Sequence, residues 1–143
     1  MTFLVERLAD LRRQLDHVEA IRHRIAGSSA LIADLTLHND VMFALLMICQ
    51  GVIDISGELA SRHGVRFQDF NGAIRALAQV PGFPVDLVEL LVPLAGFRNV
   101  VVHEYVELDY DRVIAALDHL GPVRQFIAAV ATLERSAGNT DVG

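Results

Sequence analysis

Leu4, Leu8, Leu11, Leu15, Val18 and Ile25 recur at alternating steps of four and three, interrupted by Arg22. That spacing predicts an amphipathic helix that opens after Thr2 as N-cap and stops at Gly27. Ser28 and Ser29 are placed to cap a short helical piece reaching about Leu37. Asn39 or Asp40 then opens a second long helix, ending near His63 with Gly64 as a left-handed stop. Its first half is apolar on every side, which marks the central helix of a bundle or a dimer seam.

Phe70, Ile74 and Leu77 predict a short third helix, closed by Pro81, Gly82, Phe83 and Pro84. Leu87, Leu90, Leu91, Leu94, Phe97 and Val101 form the stripe of a fourth, kinked or restarted around Pro93. Val100, Val101 and Val102 alone would favour a strand, but no partner strand of similar quality occurs, so the reading stays helical. A last helix starts at Asp109 and runs to about Glu134, bent by Gly121 and Pro122, and the tail 136–143 is expected to fray. The pattern therefore predicts one all-α domain over residues 1–143, an up-and-down bundle of about five helices.

Composition adds an expectation about assembly. The chain is 52% apolar, rich for a monomer, so part of the apolar surface should be buried against another subunit. The longest unbroken apolar run, Val41 to Cys49, is nine residues, about half of what a bilayer crossing needs. Charges at Glu6 and Arg7 come too early for a signal-peptide apolar region, so a cytoplasmic protein is expected. The single cysteine, Cys49, sits inside that run and reads as a small buried hydrophobe. One cysteine also leaves no internal disulfide and no cysteine-based zinc site.

Charge bears on partners. The net charge is −6 and all 12 basic residues are arginine, which argues against indiscriminate nucleic-acid binding. Glu104, Glu107, Asp109 and Asp111 crowd one stretch. Any positive field for RNA would have to come from Arg62, Arg66 and Arg75, or from a symmetry mate. Asp16, Glu19 and His23 share a helical face, and His17, Asp34 and His38 lie nearby, but no Glu-x-x-His pair occurs. HExxH, P-loop, GxGxxG and GxSxG motifs are also lacking. These groups read as solvated helix faces, with no metal and no cofactor.

One stretch does carry chemistry: Arg98-Asn99-Val-Val-Val-His103-Glu-Tyr105. A guanidinium holds phosphate charge bidentately, and an imidazole moves protons near neutral pH. The bare arginine–histidine spacing is weak, since Arg12 and His17 share it, and Arg112 and His119 fit a looser window. Asn99 and Tyr105 make it specific, lowering the chance expectation to roughly a few in ten thousand. On a continuous helix Arg98 and Tyr105 lie about two turns apart on one face, with Asn99 and His103 on the adjacent one. The competing reading pairs Arg98 with a nearby carboxylate, such as Glu89 or an acid on another helix, and leaves His103 solvated. Asp54, interrupting the apolar second helix, is placed either to orient Arg98 or His103 from across the bundle or to cap solvent-facing positions.

This stretch resembles the R-x4-H-x-Y motif of the HepT-like branch of the HEPN ribonucleases, the toxin half of HepT–MntA toxin–antitoxin pairs. The resemblance implies an HEPN-like helical homodimer, joined along its helices, with two motif copies facing each other in a cleft. It implies metal-independent endoribonuclease activity, with Arg98 stabilising phosphorane-like charge. His103 would move the proton of the attacking 2′-hydroxyl or of the leaving oxygen, and Asn99 would be accessory; Asp54 is a second accessory candidate on its place in the apolar helix alone. Tyr105 would be the acceptor of AMP from an MntA-like nucleotidyltransferase antitoxin, in a hetero-oligomer with it. The alternative is a non-catalytic helical subunit that partners a minimal nucleotidyltransferase, with the acidic motif region as its docking surface.

Overall fold

The leucine repeat forms α1 (Thr2–Ile21), which a 3-10 turn over Arg22–Arg24 brings to a close. The computed structural model describes residues 2–103 and 108–142. Leu4, Leu8, Leu11, Leu15 and Val18 are all buried, so the expected stripe does face the core. Thr2 is the first helical residue rather than the cap, and α1 stops short of Gly27. Arg22 accounts for the early stop: it donates to the Ile25 carbonyl at 2.6 Å and to Asp118 at 2.8 Å, turning the chain toward another helix.

The short piece is α2 (Ser28–Ala33), and α3 (Leu35–Arg62) begins directly after it. Asp34 is the N-cap, accepting from the Leu37 N–H at 3.1 Å, so α3 opens earlier than Asn39 or Asp40. At the other end Gly64 takes φ +71°. The Val65 N–H bonds to Ala60 O at 2.9 Å and the Gly64 N–H to Ser61 O at 3.1 Å, the Schellman pattern the glycine predicted. By length and hydropathy α3 would suffice for a bilayer, yet 56% of its apolar stretch is buried inside the bundle. It is the central helix.

Asp69 caps α4 (Phe70–Arg75), which continues as a 3-10 turn over Ala76–Gln79. Pro81 and Gly82 then make a tight turn, with Gly82 at φ +87° and the Phe83 N–H on Val80 O at 3.1 Å. The fourth predicted helix is two, α5 (Val85–Leu91) and α6 (Pro93–Val102). Proline is tolerated in the first turn of a helix and not inside one, so Pro93 starts α6. The three valines lie in α6 and are helical. Asp109 caps α7 (Tyr110–Leu117), and α8 (Gly121–Val142) follows at a bend of 45°. With no proline after Pro122, α8 continues through Glu134 and the tail 136–142, where fraying was expected.

Every described segment of regular structure is helical, eight α-helices against the five or so expected. The extra ones come from the breaks at Pro93 and Gly121 and from the separate short helix α2. α3 packs against α1 and α6 most extensively, and also against α4 and α2. Side chains from α1, α3, α6 and α8, such as Leu15, Ile48, Val101 and Phe126, share one core.

Candidate functional site

The packing of α6 against α3 brings Arg98 to the middle of the central helix, where the apolar run gives way to Gln50. Two turns of α3 beyond the exposed ring of Phe43 comes Gln50, and one turn further Asp54. Arg98 is half-buried. Its Nε donates to Gln50 Oε1 at 3.0 Å, and its Nη1 donates to Asn99 Oδ1 at 3.3 Å. Its guanidinium carbon lies 4.8 Å from the centroid of the Phe70 ring, a cation–π contact that holds the plane of the fork.

Gln50 donates its Nε2 to Asp54 Oδ1 at 2.8 Å. That bond sets which way the amide points: nitrogen toward the carboxylate, oxygen toward Arg98. Asp54 therefore bears on Arg98 through Gln50 rather than by direct pairing. The expected alternative partner of Arg98, Glu89, is bonded instead to Arg75. Gln50 and Phe70 escaped the sequence reading. Gln50 had a signal, since it ends the apolar run and stands four residues before Asp54. Phe70 had none, because it reads as a core position of α4 and meets Arg98 only through the tertiary fold.

His103 is the C-cap of α6, exposed, with its backbone N–H on Asn99 O at 3.1 Å. α6 thus carries Arg98 and Asn99 but ends at Val102, which corrects the expectation of one continuous helix through Tyr105. Three successive β-branched valines weaken a helix at its end. Tyr105, with Glu104 and Glu107, lies outside the described residues.

The arginines nominated for RNA are partly spent. Arg62 bonds Glu58 at 3.2 Å and Glu134 at 2.9 Å, and Arg75 holds Glu89. The acids considered for a metal are engaged too. Arg124 bonds Asp16 and Glu19, each at 2.7 Å, and its pKa is pushed up by those hydrogen bonds. His17 donates to Asp40 at 2.8 Å. Among the described residues no three His, Cys, Asp or Glu side chains converge to hold an ion. The two helices that carry Gln50 and Arg98 also expose apolar side chains: Phe43 of α3 is 58% exposed and Val102 of α6 37%.

The profile of the Ribonuclease HepT-like family matches residues 11–130. The mRNA nuclease HepT of Shewanella oneidensis is 26% identical over 129 residues, covering 89% of this chain and 95% of that protein. A crystal structure of a toxin–antitoxin with AMP-PNP shares the fold, with a TM-score of 0.79 at 24% identity, over 92% of this chain and 99% of that one. The tri-AMPylated Shewanella oneidensis HEPN toxin in complex with MNT antitoxin superposes with a TM-score of 0.75 at 25% identity. That likeness covers 90% of this chain and 96% of the toxin. An all-helical fold shared over nearly the whole chain and a family match spanning most of its length place this protein in the Ribonuclease HepT-like family.

Proposed function

We propose that this chain is the toxin of a toxin–antitoxin pair and a metal-independent endoribonuclease, with Arg98 and His103 as its catalytic residues. The observation that carries the reading is the anchoring of Arg98. Gln50 and Phe70 fix one edge and one face of the guanidinium, which leaves the Nη edge to take a phosphate in place of the long contact to Asn99. His103, at the end of the same helix, is exposed and within the same motif. It serves as the group that takes the proton of the 2′-hydroxyl or returns one to the 5′-oxygen as the P–O5′ bond breaks. The products are a 2′,3′-cyclic phosphate and a free 5′-hydroxyl.

Two copies complete the site. Phe43 on α3 and Val102 on α6 are exposed apolar side chains on the two helices that carry Gln50 and Arg98, and pairing of these helices across a two-fold axis would bury them and set two motifs together. Tyr105 is the proposed acceptor of AMP from an MntA-like nucleotidyltransferase, and an AMP group there adds charge that competes with RNA phosphate for Arg98. The chain acts in the cytoplasm on this reading.

Arg98→Ala and His103→Ala should each abolish RNA cleavage and growth inhibition with the fold intact. Cleavage should persist in EDTA and leave 2′,3′-cyclic ends; loss of activity with chelator, or survival of both substitutions, refutes the mechanism. Neutralisation of Arg62 and Arg75 within the chain favours the second reading, a non-catalytic subunit that binds the nucleotidyltransferase. A wild-type chain that neither cleaves RNA nor slows growth, yet co-purifies with that partner, selects it.

A further inference from the structure

Between the loop entering α4 and the outer face of α6 lies a groove of about 430 Å³, walled by Gln68, Phe70 and Asn71 on one side and Gly96 and Asn99 on the other. We propose that this groove is a nucleobase subsite, which takes the base of a ribonucleotide whose phosphate sits on Arg98. The proposal rests on Arg98 as the phosphate-binding group.

Three features point to a base. First, the groove adjoins the cation: the Arg98 guanidinium lies over the Phe70 ring and bonds Asn99, and both residues are groove walls. A ligand that fills the groove and reaches Arg98 carries a neutral part and an anionic part side by side. Second, apart from Asp69 the groove's own polar groups are uncharged. Gln68, Asn71 and Asn99 each offer donors and an acceptor, the pairing chemistry of a base edge. The one carboxylate on the walls, Asp69, is committed to the Gly72 N–H at 2.7 Å. Third, the space above Gly96 is open. A Cβ built there would meet nothing within 4 Å, so packing does not require this glycine in the middle of α6. A glycine there costs helix stability, and the absence of its side chain keeps the groove clear. The volume falls in the range of small-molecule sites, about 300–1,000 Å³.

The test titrates the full chain with the four ribonucleoside 3′-monophosphates and with inorganic phosphate, following the side-chain NH₂ signals of Gln68, Asn71 and Asn99 by NMR. At least one nucleotide should bind about tenfold tighter than phosphate, through one or two added hydrogen bonds, and should move those signals. Gly96→Leu blocks the groove while favouring the helix, so it should reduce that nucleotide to the affinity of phosphate and leave phosphate binding unchanged. Asn71→Ala should weaken the preferred nucleotide several-fold and phosphate not at all. Equal binding of nucleotides and phosphate, no binding of any nucleotide, or a preference that survives Gly96→Leu overturns the subsite. If nucleotides bind in this way but wild type cuts no RNA, the ribonuclease reading fails and the subsite stands. If RNA is cut with a base preference that both variants leave unaltered, the subsite fails alone.

Discussion

Gln50 is the side chain on which the geometry of Arg98 turns. It joins a carboxylate on its own helix to a guanidinium on another, and each bond fixes the orientation that the other needs. Replacing it with Leu keeps the volume but removes both bonds. Hydrogen bonds to charged groups are worth about 1.5–3 kcal/mol, so cleavage by Gln50→Leu should fall by about ten- to a hundredfold. The helical fold should be retained at the assay temperature by circular dichroism, and a variant as active as wild type would remove Gln50 from the site. Ser56 is a contrasting residue. Fully buried on α3, its Oγ has no hydrogen-bond partner among the described residues. Ser56→Ala removes an unsatisfied hydroxyl and should leave stability equal or higher, by up to about 1 kcal/mol, as read by urea unfolding.

The breaks between helices decide where the side chains of neighbouring elements meet. Gly82 closes the connection between α4 and α5 with a left-handed φ, and a Cβ there would lie 3.0 Å from Leu133 Cδ2 on α8. Gly82→Ala should therefore cost about 1–2 kcal/mol of backbone strain together with whatever shift Leu133 requires, measured by thermal unfolding. The central helix makes a second, chemical prediction. Burial pushes the Cys49 thiol up to about 12, against about 8.5 for a free cysteine. A raised folded pKa favours the neutral thiol, so its contribution to stability is full below the ordinary value and is lost as pH rises toward about 12. Cys49 should accordingly resist alkylation at neutral pH until α3 unfolds. Rapid labelling of the native protein would contradict its burial.

At the scale of the molecule, ion pairs join helices distant in sequence: Arg22 to Asp118, Arg124 to Asp16 and Glu19, Arg62 to Glu134. The Arg22 hydrogen bond holds the Asp118 carboxyl below the usual carboxylate range. Such a group contributes stability above its unfolded pKa and loses it as pH falls through the folded one. Wild type should thus lose more stability on acidification than Asp118→Asn, and salt should narrow the gap because the pair is exposed. Assembly is tested on the proposed seam. Phe43→Glu puts like charges across a two-fold axis, so it should yield a folded monomer by light scattering and abolish cleavage. A dimer that persists in the variant would place the seam elsewhere.

Most of the architecture was legible because helices announce themselves locally. The α1 stripe, the glycine stop of α3, the Asp109 cap and the proline breaks are all set by contacts within a few residues. The same holds for the Arg98–Asn99–His103 motif and for Asp54 as an anomaly in an apolar helix. Where local signals competed, boundaries moved: Asp34 outranked Asn39 and Asp40 as the cap of α3, and three valines ended α6 before Tyr105. What tertiary structure alone decided is which side chains meet. Gln50 stands 48 residues from Arg98, and Phe70 lies on a third element, so no spacing could reveal that they hold one guanidinium between them. The same packing spends Arg62 on Glu134 and Arg75 on Glu89, where the sequence offered them as free charge. Periodicity belongs to one helix at a time. A site assembled from three helices exists only once hydrophobic burial has fixed how those helices lie against one another.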